Sequence, residues 1–424
     1  MFIKTLALQN FRNYEERSVD FDAGVNILTG NNGEGKTNML EAVRMLSMGR
    51  SFRTQNDAEA ILFGKSFFRI KGLFERGGDD LTVEVRAQGS AKSYFIDGIK
   101  VPKGADLLDH ALTVIFSPDD LRIVKDGPEK RRHFMDHELF QLKPLYYLDV
   151  IKYRRIVKNR NLLLKEMPLN EPLLDVYDGY LAETGARIMA ERAGFAARLA
   201  KVSAGIQDRI TASSDPRPAE DPAAAPAYAR PAGEPAAAPA CARSAEDPAA
   251  APAYARPAEE PAEDTAATAA GLEVSYEPSI EMPEPPDSDA QGAGAVPRIQ
   301  EAIVEQLRSR RAKDVDAGST TRGPHKDDLK LVSGGVDLRK YGSQGQQRTA
   351  ALALKLAEVD IIKEETGEMP ILLLDDVLSE LDESRQRCLI GSFEDCQIII
   401  TAADLPTDLR QAFAGAHTIR AHDG

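Results

Sequence analysis

Eight residues, Gly30-Asn31-Asn32-Gly33-Glu34-Gly35-Lys36-Thr37, restrict what this chain can fold into more than any other feature. They fit the pattern G-x-x-x-x-G-K-T. They follow a short strand-like run, Val25 to Thr29, and precede a helix-like run, Asn38 to Met45, which is the setting the pattern requires. Glycines at 30, 33 and 35 let backbone N–H groups wrap phosphate oxygens, and Asn31, Asn32 and Glu34 complete the loop. Lys36 is placed to neutralise β- and γ-phosphate charge, Thr37 to offer a hydroxyl to Mg²⁺, and the helix N-terminus adds partial positive charge. The loop is built for the phosphates of ATP, although alone it does not separate ATP from GTP. A strand feeding a phosphate loop and a helix places the chain in the α/β class.

At 424 residues the chain exceeds one compact core, and two lobes are expected. Residues 1–145 read as strands and short helices. Leu81 to Arg86 and Ser93 to Gly98 form a predicted hairpin pair, with Asp97-Gly98 marking a turn. Residues 146–317 read as a mainly helical lobe, with a strand near Leu272–Tyr276 and a helix from Arg298 to about Lys313. Residues 318–424 return to strand–helix alternation, with a long helix near 345–365 and apolar strands at 370–375 and 397–401.

Inside the helical lobe, 211–271 differ in kind. Asp221 to Arg230 recurs at 234–243 and 247–256 with a 13-residue period. So little apolar mass, interrupted by proline, predicts a disordered insertion. The segment holds ten acidic and four basic residues, so it supplies part of the formal charge of -14. That total argues against a basic field over the whole protein but leaves room for a basic patch. Three cysteines in no ligand spacing, no leader-like N-terminus and no apolar run of about 20 residues predict a soluble, cytoplasmic protein with no membrane partner.

Two further motifs extend the site. Ile371 to Asp376 is an apolar strand ending in two carboxylates. At its C-terminal end Asp375 is expected to hold Mg²⁺ with Thr37, and Asp376 to polarise the attacking water beside Lys36. Tyr341-Gly342-Ser343-Gln344-Gly345-Gln346-Gln347-Arg348 opens the long helix. Ser343, Gly345 and Gln346 are candidates to receive a γ-phosphate, while in isolation Ser343 also reads as a plain helix N-cap.

More than 330 residues separate Lys36 from Asp375, with the helical lobe between them. The Ser-Gly-Gln segment lies just before the carboxylate strand, and Ser379-Glu380-Leu381-Asp382 just after it. This order resembles the ABC-type ATPase heads of the SMC class. Asn10-Phe11-Arg12-Asn13-Tyr14, Gly49 to Thr54, Phe116 to Leu121, Lys130 to Asp136 and Thr321 to Leu329 narrow the match, which is similar to the RecF family.

The resemblance implies an ATP-dependent homodimer in which Ser343, Gly345 and Gln346 of one copy close on ATP held by the other, with Asp382 at the interface. It also implies binding to duplex DNA and single-strand/double-strand junctions, action with RecO and RecR to help load RecA, and slow, timer-like ATP hydrolysis in replication-gap repair. Ala402 and Ala403 stand where many such ATPases place a switch histidine, and Thr401 is a substitute contact to the γ-phosphate. Arg50, Arg53, Lys130, Arg131 and Arg132 are candidate DNA-phosphate contacts, with a solvated face or structural ion pairs as the alternative. His325 has no metal partner nearby and reads as structural. An SMC-like tethering ATPase is disfavoured by the short arms, a transporter subunit by the large helical lobe, and a small-molecule kinase by the motif spacing.

Overall fold

In the computed structural model, the described residues are 1–54, 56–89, 91–213, 271–283, 295–382, 385–386, 388–389, 396–402, 413 and 415–422. Nearly all of the Ala/Pro repeat, Cys241 and Ala403 lie outside them.

The chain opens with β1 (Phe2–Phe11), β2 (Tyr14–Asp20), β3 (Val25–Thr29) and α1 (Lys36–Met48). Four antiparallel strands follow: β4 (Phe67–Arg76), β5 (Asp79–Gln88), β6 (Ala91–Ile96) and β7 (Ile99–Val101). Next come β8 (Thr113–Phe116), α2 (Leu121–Lys125), α3 (Pro128–Leu142), α4 (Pro144–Leu163) and α5 (Glu171–Ser213). The second half holds β9 (Leu272–Glu277), α6 (Ala295–Ser309), α7 (Arg311–Ala317), β10 (Asp328–Ser333) and β11 (Val336–Asp337). It continues with α8 (Gln344–Thr366), β12 (Ile371–Asp375), β13 (Ile398–Ala402) and β14 (His417–Arg420).

Among the described residues, β2-β1-β4-β5-β6-β7 form an antiparallel sheet and β14-β3-β13-β12-β8 a parallel one. Helix α1 packs against strands of both sheets and is buried along nearly its whole length. That explains why its apolar residues, Met39, Leu40, Ala42, Val43, Met45 and Leu46, surround the axis instead of forming one stripe. The parallel strands are buried on both faces, so Ile371 to Leu374 and Ile398 to Ile400 read as continuous apolar runs. The predicted hairpin is present as β5–β6. Asp97-Gly98, with φ of 49° and 77°, makes the following turn, between β6 and β7.

Helix α5 packs against α4, α6, α8 and β9. The predicted helix from Arg298 is two helices, because Arg310 leaves helical geometry (φ -102°, ψ 3°) between α6 and α7. Strand β10, expected with the C-terminal segment, pairs with β9 across the anticipated boundary at 317/318.

Buried ionic contacts tie these helices together. Arg160, fully buried on α4, donates to Asp178 of α5 (2.6 Å), Asp314 of α7 (2.7 Å) and the Thr320 hydroxyl (2.9 Å). Arg192 of α5 reaches Asp136 (2.8 Å) and the Pro324 carbonyl (2.6 Å). Removing one member of such a pair strands the other charge in the interior. Arg160→Ala should therefore cost about 3–5 kcal/mol in a urea titration. A loss below about 1 kcal/mol, the range of a surface pair, would show that the network is not stabilising.

Candidate functional site

The phosphate loop spans the turn between β3 and α1. Gly30, Gly33 and Gly35 carry φ values of 148°, 89° and 103°, all in the region that side chains disfavour. At Gly35 a Cβ would also lie 2.6 Å from the Tyr14 hydroxyl and 2.7 Å from the Asn13 amide, so space as well as conformation demands glycine. Asn31 braces the loop by donating from its backbone N–H (2.8 Å) and its side-chain amide (2.7 Å) to the Glu34 carboxylate. The Asn31 side chain first, then its N–H, holds the Glu34 carboxyl below its ordinary range. Lys36 Nζ lies against the loop, donating to the carbonyls of Gly30 (2.6 Å) and Asn31 (3.1 Å). Asn32 is exposed.

Asn13 supports the loop from below. Its amide donates to the Glu34 carbonyl (3.1 Å) and its oxygen accepts from Asn38 (2.8 Å). Beneath α1 the buried Glu41 carboxylate accepts from Arg12 (2.9 and 2.5 Å), Arg53 (3.4 Å) and Ser51. Ser51 Oγ in turn accepts the N–H groups of Arg53 (2.9 Å) and Thr54 (3.1 Å), which fixes the segment after α1.

The parallel register carries Asp375 to the same sheet edge. Asp375 of β12 lies opposite Thr401 of β13, and Thr401 opposite Leu28 of β3. The Thr37 hydroxyl donates to Asp375 Oδ1 (2.8 Å) across 338 positions of sequence. The Thr401 hydroxyl donates to the same oxygen (3.0 Å) and accepts the Asp376 N–H (2.9 Å). Burial raises the Asp375 carboxyl above its usual range, opposed by the hydroxyls of Thr37 and Thr401. Asp376, exposed and in left-handed geometry (φ 56°), turns the chain out of the sheet.

Thr37 and Asp375 form an oxygen-only pair with a carboxylate that favours a nearby cation. This suits Mg²⁺, which takes few protein ligands and completes its shell with water and phosphate oxygens. Among the described residues no group of three or more His, Cys, Asp or Glu is arranged to hold a metal.

The Ser-Gly-Gln segment sits elsewhere. Ser343 caps α8, its N–H donating to Gln346 Oε1 (2.8 Å) and its hydroxyl accepting the Gln346 N–H (3.2 Å). Ser343, Gln344, Gly345 and Gln346 are exposed, and no hydrogen bond joins them to residues 30–37. A Cβ at Gly342 would lie 2.5 Å from the Leu338 carbonyl oxygen, which lets only glycine precede the cap. Arg385 links Asp382 to this segment. It pairs with the Asp382 carboxylate and donates to Thr349 Oγ1 (2.8 Å) and the Gly345 carbonyl (3.4 Å).

The expected site residues thus fall into two groups, a loop-and-carboxylate group (30–37, Asp375, Asp376) and an exposed group (Ser343, Gly345, Gln346, Asp382). The sequence pointed to no role for Asn38, Glu41 and Arg385, and to Asn13 only as part of a family-like segment. The hydroxyl of Thr401, expected from the sequence to contact a γ-phosphate, bonds to Asp375 Oδ1 in the structure. Arg12 and Arg53, within the family-like segments Asn10–Tyr14 and Gly49–Thr54, were a signal for a buried carboxylate, but nothing in the sequence indicated Glu41.

The basic candidates also divide. Arg50, Arg53, Lys130 and Arg132 line one cleft. Arg131 is corrected to a structural role: it is buried, its guanidinium forked onto Asp328 (2.6 and 2.9 Å) and onto the carbonyls of Ile123 (3.1 Å) and Asp126 (2.8 Å). His325 joins the Tyr153 hydroxyl (3.0 Å) and the Thr320 carbonyl (3.0 Å), and burial lowers its pKa to about 4. Ala402 ends β13, buried.

A family model described as the RecF/RecN/SMC N terminal domain matches residues 2–412. The DNA replication and repair protein RecF of Clostridioides difficile (strain 630) is 33% identical over 405 residues, covering 96% of this chain and 92% of that protein. Its counterpart from Geobacillus thermodenitrificans (strain NG80-2) is 32% identical over 429 residues, covering 100% and 98%. The solved structure described as the recombination mediator protein RecF-ATPrS in the RecFOR pathway superposes with a TM-score of 0.78 at 31% identity, covering 100% of this chain and 96% of that one. A second, of RecF-ATP in the same pathway, gives 0.76 at 32% identity, covering 96% and 93%. With a parallel sheet that carries the phosphate loop and the carboxylate strand to one edge, and matches spanning nearly the whole length, the chain belongs to the RecF family of SMC-class, ABC-type ATPase heads.

Proposed function

We propose that this chain is an ATP-dependent DNA-binding protein of replication-gap repair and recombination, working as a dimer that closes on ATP. The observation that carries the reading is the separation of the two site groups. The loop with Thr37 and Asp375 is preset for a nucleotide, while Ser343 to Gln346 stand exposed with no hydrogen bond to their own loop. An exposed phosphate receptor is useful when a second copy brings a nucleotide to it. The names of the relatives, with RecF–ATP structures of the RecFOR pathway among them, support ATP as ligand and repair as setting.

In this reading Lys36 leaves the Gly30 and Asn31 carbonyls for the β- and γ-phosphates, and the loop N–H groups hold the remaining oxygens. Thr37 and Asp375 hold Mg²⁺, which supplies charge neutralisation on the phosphates when bound. Thr401 fixes Asp375, and Asp376 orients water for a slow hydrolysis that times release of the dimer. Ser343, Gly345, Gln346 and Asp382 act across the interface. The head comprises 1–145 and 318–424, and 146–317 the helical lobe. Duplex and junction DNA meet Arg50, Arg53, Lys130 and Arg132, and the complex acts with RecR and RecO to help load RecA.

Two outcomes are expected. Dimer formation, followed by sedimentation with and without gapped DNA, should require ATP and strengthen with DNA. Ser343→Arg should abolish it while leaving ATP affinity within about threefold, and a wild-type monomer indifferent to both ligands would overturn the reading. The second outcome concerns Asp375. Its raised carboxyl pKa means that the folded apo protein loses stability as pH rises through that value. Asp375→Asn should raise the apo melting temperature at pH 7.5, by more than at pH 5, and lose the further rise given by Mg²⁺ with ATP. An intact Mg²⁺-dependent rise in this variant would remove Asp375 from the metal site.

A further inference from the structure

Between the segment Arg50–Thr54 and the helices α3, α4 and α5 lies a cavity of about 730 Å³. One wall is a stripe of α3, Lys130, His133, His137 and Phe140, whose spacing puts them on one helix face. Its charge is unbalanced. Lys92 is neutralised by Asp57 (2.5 Å), and Arg192 and Arg154 share Asp136 (2.8 and 3.3 Å). Arg50, Lys130 and Arg132 face the cavity with no ion-pair partner, and Arg132 donates only to the Asp327 carbonyl (2.6 Å). Glu129 is the one unpaired carboxylate against them.

Arg50 makes the strongest case for a missing ligand. Its guanidinium lies 4.9 Å above the Phe140 ring, and its buried Nε has no hydrogen-bond partner. That nitrogen is enclosed, but the rest of the guanidinium lines the cleft without a hydrogen bond, and a phosphate oxygen is the acceptor best matched to it.

Size then narrows the ligand. The volume is within the range of a small-ligand site. A duplex keeps its bases paired and stacked on one another, so only an unpaired base can lie on a ring of the wall. Rings and unpaired cations together are the chemistry of single-stranded nucleic acid, which stacks its bases while its phosphates are neutralised. Phe52 and His133 still present ring surface, and the His133 and His137 rings are 3.9 Å apart.

We propose that this cleft takes roughly one or two unpaired nucleotides of a DNA strand where it leaves a duplex. Arg50, Lys130 and Arg132 hold the phosphates, and Phe52 and His133 stack a base. The inference rests on the DNA-binding reading above and makes it narrower: within the basic face that meets DNA, the cleft takes the unpaired strand end.

The test uses the full chain with ATP and two DNAs of equal duplex length, one blunt and one with a single-stranded tail carrying 2-aminopurine at its first unpaired position. Wild-type protein should bind the tailed DNA more tightly and quench the 2-aminopurine at least twofold. Lys130→Glu should weaken tailed DNA tenfold or more, and blunt DNA by clearly less. Phe52→Leu combined with His133→Ala should remove the quenching from DNA that is still bound. Equal losses on both DNAs, or an unquenched base in the wild-type complex, would overturn the inference while leaving the DNA-binding reading intact. Wild-type protein that binds neither DNA overturns both. Competition by micromolar dTMP would assign the cleft to free nucleotides and overturn the strand-end assignment, whereas competition by excess unlabelled tailed DNA alone supports it.

Discussion

One carboxylate oxygen, Asp375 Oδ1, receives the hydroxyls of Thr37 and Thr401. Those three residues sit at the ends of α1's first turn, β13 and β12, drawn from opposite ends of the chain. The contact depends on the parallel register of β3, β13 and β12, since a strand displaced by one residue would turn Asp375 to the other face of the sheet. Closing the sheet around that register brings the antiparallel layer down on α1, and α1 disappears between the two. The phosphate loop thereby gains a rigid floor, and its carboxylate sits in a setting that favours a neighbouring cation.

Burial also explains how the segment after α1 is aimed. Glu41 lies wholly inside, and a buried carboxylate needs donors around it. Arg12, Arg53 and Ser51 supply them. Because Ser51 also accepts two N–H groups, the backbone from Arg50 to Thr54 is fixed and leads into the basic cleft against α3. The Glu41 carboxylate thus joins α1, which follows the nucleotide loop, to the segment that lines the cleft. On the far side of the cleft the helices are tied by Arg160 and Arg192 to carboxylates and carbonyls of neighbouring segments. The α3 wall is held just as firmly, by Arg131 on Asp328.

The exposed group at the start of α8 has a different character. Ser343 and Gln346 satisfy each other as a capping box, and Gly342 is there because nothing larger clears the Leu338 backbone. Arg385 draws Asp382 to the same place by bonding at once to the carboxylate, to Thr349 and to the Gly345 carbonyl. A cap so arranged is stable with no ligand. That is what a surface waiting for a second molecule requires, and it fits the proposed closing of two copies on ATP.

Local patterns in the sequence determined the α/β class, the phosphate loop, the carboxylate strand, the α8 start and the β5–β6 hairpin, because each depends on neighbours a few residues away. The family likeness was legible as well, since it lies in the order of short motifs. What needed tertiary structure were the contacts made over hundreds of residues. Thr401 reads as a hydroxyl at a strand end, and only the register between β12 and β13 turns it onto Asp375. Arg131 and Arg132 are adjacent and equally basic in sequence, yet a helix sends neighbouring side chains about 100° apart. One is buried on Asp328 and the other faces the cleft. Glu41 and Arg385 carry no local signature at all. Their roles come from which distant side chains the packed sheets bring within hydrogen-bond reach, and no period or spacing in the chain encodes that.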